Sequence, residues 1–277
     1  MITGNEEERM LTARSERIRE ARKLTRRAGR EKTSLFLAEG VQAVREAVAA
    51  GPDRTTQLFV TGSAQERFAD IVERAEAASI TVSIADDDAL ATLSETVTPQ
   101  GLVAVCRSLT TNLDAALGDL PRLVAVLADA RDPGNAGTVI RCADAAGADA
   151  VVLTHGSVDP LGGKAVRASA GSVFHLPIAV GAPVADVTTT LCVRGVTVIA
   201  ADGAGETDLD EADDAGLLAG PTAWVFGNEA WGLPPDVLAL ADHVVRVPIH
   251  GRAESLNLAT AAAVCLYASA RAQRRTG

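Results

Sequence analysis

The sequence predicts an α/β protein in which a small α/β domain precedes a larger C-terminal domain built on a parallel sheet. The first observation is a set of short, branched, bounded apolar runs, clearest at Ala223–Phe226 and Val244–Ile249, with the look of strands buried on both faces. The second is the alternation of strand-like and helix-like segments along almost the whole chain. The third is the polar, glycine-containing chemistry at the ends of those two late runs. Gly227-Asn228-Glu229 with Gly232 comes after the first, and His250-Gly251-Arg252 leading to Ser255-Leu256-Asn257 after the second. Ligands of an open parallel sheet collect outside the carboxyl ends of its strands. Two such ends, close in sequence and rich in small and amide residues, point to one shared pocket. Its glycines let backbone approach a ligand, and Asn228, Glu229, Ser255 and Asn257 supply the directional contacts. Taken singly, Gly-Asn also fits a plain turn and Ser255 a plain helix cap.

A chain of 277 residues suits one large or two medium domains, and its 47% hydrophobic content supplies a substantial core. No apolar run approaches the length of a membrane span, and the N-terminus is polar rather than signal-like. Cys106, Cys142, Cys192 and Cys265 are scattered without a CxxC pair. They read as buried small hydrophobes rather than zinc ligands, so no metal is expected and the reducing cytoplasm is the default compartment. The net charge of −10 is awkward for a nucleic-acid partner, which makes the location of the basic residues decisive.

Those residues crowd the start. Arg14, Arg17, Arg19, Arg22, Lys23, Arg26, Arg27, Arg30 and Lys32 stand against only Glu16, Glu20 and Glu31. With few apolar residues among them, residues 1–33 read as a basic segment that buries little, lying on a surface or forming an arm toward a nucleic-acid partner, with residues 1–10 disordered. Residues 34–107 read as a compact α/β domain. Its strands are expected at Leu35–Ala38, Leu58–Thr61, Ile80–Ala85 and Leu102–Arg107, and its helices at Val41–Ala50, Ala64–Ala78 and Asp86–Leu93. No constellation in it carries chemistry. Residues 108–120, polar and containing Gly118 and Asp119, read as a linker.

The second domain, 121–277, opens with the buried strand Leu123–Leu127. An Asp132-Pro133-Gly134 turn comes next, and then a helix over Thr138–Ala146 that closes at Gly147. A glycine loop between strand and helix also fits a dinucleotide site. The G-x-G-x-x-G spacing is absent, however, and the next strand, Ala150–Thr154, lacks the ribose-binding carboxylate. Further strands are expected at His175–Ala179 and Thr197–Ala201, with a terminal helix at Leu256–Arg271. Arg141 sits in an otherwise apolar helix, where arginine needs a partner. Lys164 and Arg167 lie on a Gly- and Ala-rich helix and face either nucleic-acid phosphate or solvent. His155, His175 and His243 show no partners, and His250 is given no role.

Together the late stretches resemble the second and third motifs of the SpoU/TrmH branch of the SPOUT methyltransferases, which methylate RNA ribose 2′-hydroxyls. The second motif is carried by Phe226, Gly227, Glu229 and Gly232. The third is carried by Pro248, Gly251, Ser255, Leu256, Asn257 and Ala261, without departure. The first motif of that family, N-x-G-x-x-x-R, stands upstream as Asn135, Gly137 and Arg141. The resemblance covers residues 121–274. More loosely, FLAEGVQAVREAV and QGLVAVC resemble the ribosomal-protein-L30e-like substrate-binding domain that precedes many members.

The resemblance implies a SPOUT-like C-terminal domain with a deep trefoil knot, an exception to the rule that connections do not thread. It implies S-adenosylmethionine as cofactor, held by backbone at Ala201, Gly227, Val247, Ile249 and Leu256. It implies Arg141, Asn135, Glu229, Ser255 and Asn257 as catalytic residues. A guanidinium is always protonated, so Arg141 is expected to bind phosphate and stabilise the developing oxyanion rather than act as base. Asn135 and Ser255 are expected to orient the ribose and Arg141, Glu229 to pair with Arg141 or its loop, and Asn257 to brace the knotted turn. The partners implied are RNA and a second copy of the chain, with active sites at the homodimer interface. The alanine-rich helices around Arg141 and after Ser255 suit such packing. Large-subunit (23S) ribosomal RNA is favoured over transfer RNA because of the added domain and basic segment. A non-catalytic RNA-binding protein of the same fold is the alternative from another class.

Overall fold

The computed structural model describes residues 10–276. The chain forms two compact units. One takes the chain up to Leu109 together with Leu161–Phe174; the other takes Thr110–Pro160 and the chain from His175 onward.

The first unit begins with helices α1 (Glu16–Arg22) and α2 (Arg27–Thr33). These are no free arm. Ile18, Ala21 and Leu24 recur at intervals of three and are buried against Leu37, Phe59, Leu90 and Val103. A sparse stripe is enough when every apolar residue falls on one face. Arg17 donates from Nη2 to Ser83 Oγ at 2.8 Å, and Arg30 donates from Nη1 to the Leu24 carbonyl. The expectation of disorder over residues 1–10 falls, Met10 apart, outside the described residues. After α2 come β1 (Leu35–Glu39), α3 (Val41–Ala49), β2 (Thr55–Val60), α4 (Gly62–Arg67), α5 (Ala69–Ala77), β3 (Thr81–Ile84), α6 (Asp87–Ala91) and β4 (Leu102–Arg107). The four strands form one sheet in the order β1-β4-β2-β3, with β2 and β3 parallel and the other pairs antiparallel. The single helix expected over Ala64–Ala78 is broken at Phe68, whose ψ of 41° leaves the helical region. Asp86 caps α6 as expected, accepting from the Ala89 amide.

The second unit holds β5 (Thr110–Thr111), α7 (Leu113–Leu117), β6 (Leu123–Leu127), α8 (Pro133–Ala146) and β7 (Ala150–Leu153). Residues 110–117 are therefore folded structure rather than open linker: β5 pairs with a strand of the sheet, and Ala116 and Leu117 join the core. Helix α9 (Gly163–Ser169) returns to the first unit, where Arg167 Nη1 meets Glu39 Oε2 at 2.6 Å. Glu39 is almost fully buried and also accepts from the hydroxyls of Ser94 and Thr96. Arg167 is thus a structural partner, not a free phosphate contact.

The second unit resumes with β8 (Ile178–Val180), α10 (Val184–Val193), β9 (Thr197–Ala201), β10 (Thr207–Asp208), α11 (Leu209–Asp214), β11 (Thr222–Phe226), α12 (Pro235–Leu238), β12 (His243–Arg246) and α13 (Leu258–Thr276). Its eight strands run β10-β12-β9-β11-β6-β7-β8-β5, and every pairing is parallel. One face packs Val124, Val126, Val152, Val198 and Val225 against Val187 and Leu191 of α10. On β11, Trp224 alternates with those inward residues and donates from Nε1 to Ser269 Oγ of α13 at 2.8 Å. Both sheet faces are therefore covered, as an all-parallel sheet requires.

Two boundaries decide the site. Helix α8 starts five residues earlier than the sequence suggests, because Asp132 accepts from the Asn135 amide at 2.8 Å and Pro133 is pre-set for the first turn. The expected Asp-Pro-Gly turn is thus a helix start, which brings Asn135 onto α8. Strand β12 ends at Arg246 rather than Ile249, since its partner β9 ends at Ala201 and Pro248 cannot donate to a ladder. Residues 247–257 are left as a loop over the strand ends.

The cysteines and histidines also need correcting in part. Cys106 and Cys265 are buried, and burial pushes both thiols up to about 12, but Cys142 is half-buried and Cys192 exposed. His175 does have a partner: its Nδ1 lies 2.8 Å from Asp144 Oδ2.

Candidate active site

Strand β11 delivers the chain into a closed loop. The amides and carbonyls of Asn228 and Gly232 exchange hydrogen bonds of 3.0 and 2.9 Å, so residues 228–232 form a ring at the strand end. A Cβ on Gly227 would collide with the carbonyl of Gly232, and Gly232 itself sits at φ +69°, so both positions require glycine. Asn228 is buried and donates from Nδ2 to the Asp129 carbonyl at 2.7 Å, which ties this loop to the one entering α8.

Glu229 is held from the same direction. Its Oε2 accepts from the Arg131 amide, and its Oε1 accepts from the Asp132 amide and from Asn135 Nδ2, all at 3.2 Å. The carboxylate therefore lies against the positive end of the α8 dipole, satisfying amides that the helix leaves unpaired. Asn135 Oδ1 in turn accepts from Asn257 Nδ2 at 3.1 Å, and Asn257 Oδ1 accepts from the Ala259 amide at 2.9 Å, capping α13. Asn257, not Ser255, is the cap. One chain of hydrogen bonds thus links all three motif regions: Asn257 to Asn135 to Glu229.

Beside this chain lies a pocket of about 750 Å³. Each of the five expected backbone contacts, Ala201, Gly227, Val247, Ile249 and Leu256, lines it, as do Glu229 and Ser255. Asn135 adjoins it through Glu229, and Asn257 through Asn135. Arg141 does not join them. It lies about 9 Å farther along the helix axis by the helical rise from Asn135. There it is exposed, with no hydrogen bond or ion pair to any described residue. Of the pairings expected for Glu229, with Arg141 or with its loop, the second is the one formed within the chain: the Arg131 and Asp132 amides and Asn135 Nδ2 already occupy the carboxylate.

Sequence reasoning missed Asp202, Asp208 and Arg246, which also line the pocket. Arg246 donates to the carbonyls of Gly205 and Glu206 and lies 3.6 Å from Asp208, pinning the 202–208 loop across the strand ends. A Cβ on Gly205 would lie 2.8 Å from the Val244 carbonyl, so this loop also depends on a glycine. The signal was available: Asp202 directly follows a strand, and Arg246 ends one. With Glu229 and Glu254 included, acids outnumber Arg246 in the pocket wall, a balance suited to a ligand with cationic character.

The profile of the SpoU rRNA methylase family matches residues 122–267, and that of the RNA 2′-O ribose methyltransferase substrate-binding domain matches residues 37–111. The chain belongs to the SpoU rRNA methylase family. Among its relatives in that family is the 23S rRNA (guanosine(2553)-2′-O)-methyltransferase RlmP of Bacillus subtilis (strain 168). The two are 34% identical over 259 residues, which is 92% of this chain and 96% of the relative. The crystal structure of an AdoMet-bound rRNA methyltransferase from Sinorhizobium meliloti aligns with a TM-score of 0.78 at 29% identity, covering 95% of this chain and 97% of that one. The SpoU methyltransferase AviRb from Streptomyces viridochromogenes, solved in complex with AdoMet, aligns with a TM-score of 0.80 at 28% identity, covering 95% and 100%. The fold is that of the SpoU methyltransferases: a parallel sheet domain preceded by a separate α/β substrate-binding domain. Among the described residues no helix is long and apolar enough to cross a membrane, and no cluster of His, Cys, Asp and Glu could hold a metal ion.

Proposed function

We propose that this chain transfers the methyl group of S-adenosylmethionine to a ribose 2′-hydroxyl of structured RNA, with 23S ribosomal RNA as substrate. The observation that carries the reading is the Asn257–Asn135–Glu229 chain of hydrogen bonds along the wall of the strand-end pocket. The pocket's size falls in the range of about 300–1,000 Å³ usual for small-ligand sites. Phe226, Val247, Ile249 and Leu256 offer apolar surface for an adenine, while Asp202 and Glu254 suit hydroxyl, ammonium and sulfonium groups. When bound, the cofactor supplies the activated methyl group. The protein's work is then to position the ribose and exclude water.

Residue roles follow from the geometry. Both oxygens of Glu229 are engaged by three donors, so its task is to fix Asn135 and the start of α8, not to take up a proton. Asn135 and Ser255 orient the ribose, and Asn257 holds Asn135 to the cap of α13. Arg141, permanently protonated, binds the adjoining phosphate and stabilises charge on the 2′-oxygen. Its exposed position on α8 fits a homodimer in which it completes the partner's site. The knotted path of the 247–257 loop and action in the cytoplasm, where ribosomal RNA is modified, belong to the same reading. The relative named for 23S rRNA supports ribosomal over transfer RNA.

Isothermal calorimetry tests the pocket. S-adenosylmethionine and its demethylated product should both give saturable heats with folded protein, and no heat from either would remove the reading. The basic segment needs a gentler perturbation than deletion, because removing residues 14–32 would strip Ile18 and Leu24 from the core. Large buried aliphatics are worth about 2–5 kcal/mol each. Arg19, Arg22 and Arg26 are exposed. Changing all three to Gln should flatten the slope of log K against log salt for RNA by about 0.7–0.9 per lost phosphate contact. Cofactor affinity should stay unchanged. An unaltered slope would mark the segment as a solvated face.

A further inference from the structure

We propose that Trp231 and Arg131 form a ledge on which an unpaired RNA base stacks beside the methyl-transfer site. The inference rests on the RNA methyltransferase reading. It concerns a feature that reading leaves unused. The chain has two tryptophans: Trp224 is fully buried, whereas Trp231 is 54% exposed at the tip of the 228–232 loop. The Arg131 guanidinium lies over its ring, 5.1 Å from the centroid.

This arginine is held in place. Its Nε and Nη2 each donate to one oxygen of Asp129 at 3.2 Å, which fixes the plane of the fork. Asp129 is itself locked. Its amide donates to Thr154 Oγ1, its carbonyl accepts from Asn228 Nδ2, and its backbone adopts φ +54°. A Cβ on Gly156 would lie 2.6 Å from Asp129 Oδ1, so a glycine keeps room for that carboxylate. A non-glycine residue held in the left-handed region by bonds on both sides marks a conformation imposed by its surroundings.

The ledge borders a cavity of about 300 Å³ walled by Trp231, Pro183 and Val237, with Thr154 and His155 as polar edges. An aromatic face, a cation beside it and a few hydrogen-bonding groups make up the chemistry that takes unpaired bases, because every base offers a π-face and each base step carries a phosphate. The placement joins this surface to the reaction. Arg131 donates its amide to Glu229, and Trp231 follows Glu229 by two residues, so the ledge and the Asn135–Glu229 bond share one framework. A base held here is the target nucleoside's own or that of its neighbour.

Fluorescence reads the contact directly, since the buried Trp224 contributes a constant background. A short oligoadenylate should quench the exposed indole, and an abasic ribose-phosphate chain of equal length should not. Trp231→Phe should abolish the quench while keeping most of the affinity. Trp231→Ala should weaken oligoadenylate binding roughly 5- to 150-fold, the range for losing one stacked base. Equal quenching by the abasic chain would reduce the contact to phosphate attraction and overturn the proposal, as would no quenching by either. Calorimetry with S-adenosylmethionine on the same preparation separates the two ideas. A normal heat with no quench sinks the ledge alone, whereas an absent heat sinks the methyltransferase reading whatever the indole reports.

Discussion

Arg141→Ala and Asn257→Ala, each nearly inactive as a homodimer, should regain about half of one wild-type dimer's activity when purified together as a mixed heterodimer. The expectation comes from the contrast on α8. Asn135 is tied within its own chain to Glu229 and Asn257, whereas Arg141 on the same helix is exposed and bonds to no described residue. If Arg141 serves the partner's site, the heterodimer has one site with both lesions and one with neither. If it serves its own, both sites carry a lesion and nothing is recovered. Removing a preorganised donor at a developing oxyanion costs on the order of 10²–10³ in kcat, which leaves ample range to see recovery. The measurement is methyl transfer to RNA by differently tagged, co-expressed subunits. Absence of recovery with folded, dimeric single variants would place Arg141 in its own subunit's site, and a monomer by light scattering would reject the shared site.

The second large effect belongs to the hydrogen-bonded chain itself. Glu229→Ala should lower kcat/KM for methyl transfer by one to two orders of magnitude, and Asn135→Ala by a similar factor. In the first variant the Arg131 and Asp132 amides, just ahead of α8, and the Asn135 side chain lose their acceptor. These bonds are exposed, so water can replace the acceptor and the loss falls on positioning rather than on stability. The double variant should be scarcely worse than the poorer single one, because groups in one network couple by about 0.5–3 kcal/mol. Strict additivity would show that Glu229 and Asn135 act separately and would contradict the roles assigned to them.

These expectations draw unevenly on the sequence. The strands of the parallel sheet are legible because burial on both faces writes an unbroken apolar run, as at Leu123–Leu127 and Ala223–Phe226. The pocket was legible because close backbone approach demands glycine at Gly227 and Gly232, whatever surrounds them. The features that failed to show were non-local. Nothing near Arg167 in sequence reveals that its partner is Glu39, more than a hundred residues upstream. The N-terminal helices looked like a free arm because Ile18, Ala21 and Leu24 are few, and only the fold shows them aligned on one buried face. Helix α8 was started too late because Asp-Pro-Gly serves equally as a turn and as a cap with proline in the first turn. The Asn135 amide bound to Asp132 Oδ1 decides between them. Of the two partners expected for Glu229, the structure shows the loop leading into the Arg141 helix, through the Arg131 and Asp132 amides, and not Arg141 itself.

The central claim is methylation of a ribose in 23S ribosomal RNA by this site. Its most direct test is a map of 2′-O-methyl groups in total RNA from cells that carry the gene, lack it, or carry it as Arg141→Ala. One 2′-O-methyl position in 23S ribosomal RNA should be present with the intact gene and absent from the other two. Identical maps from all three strains, or a change confined to transfer RNA, would contradict it.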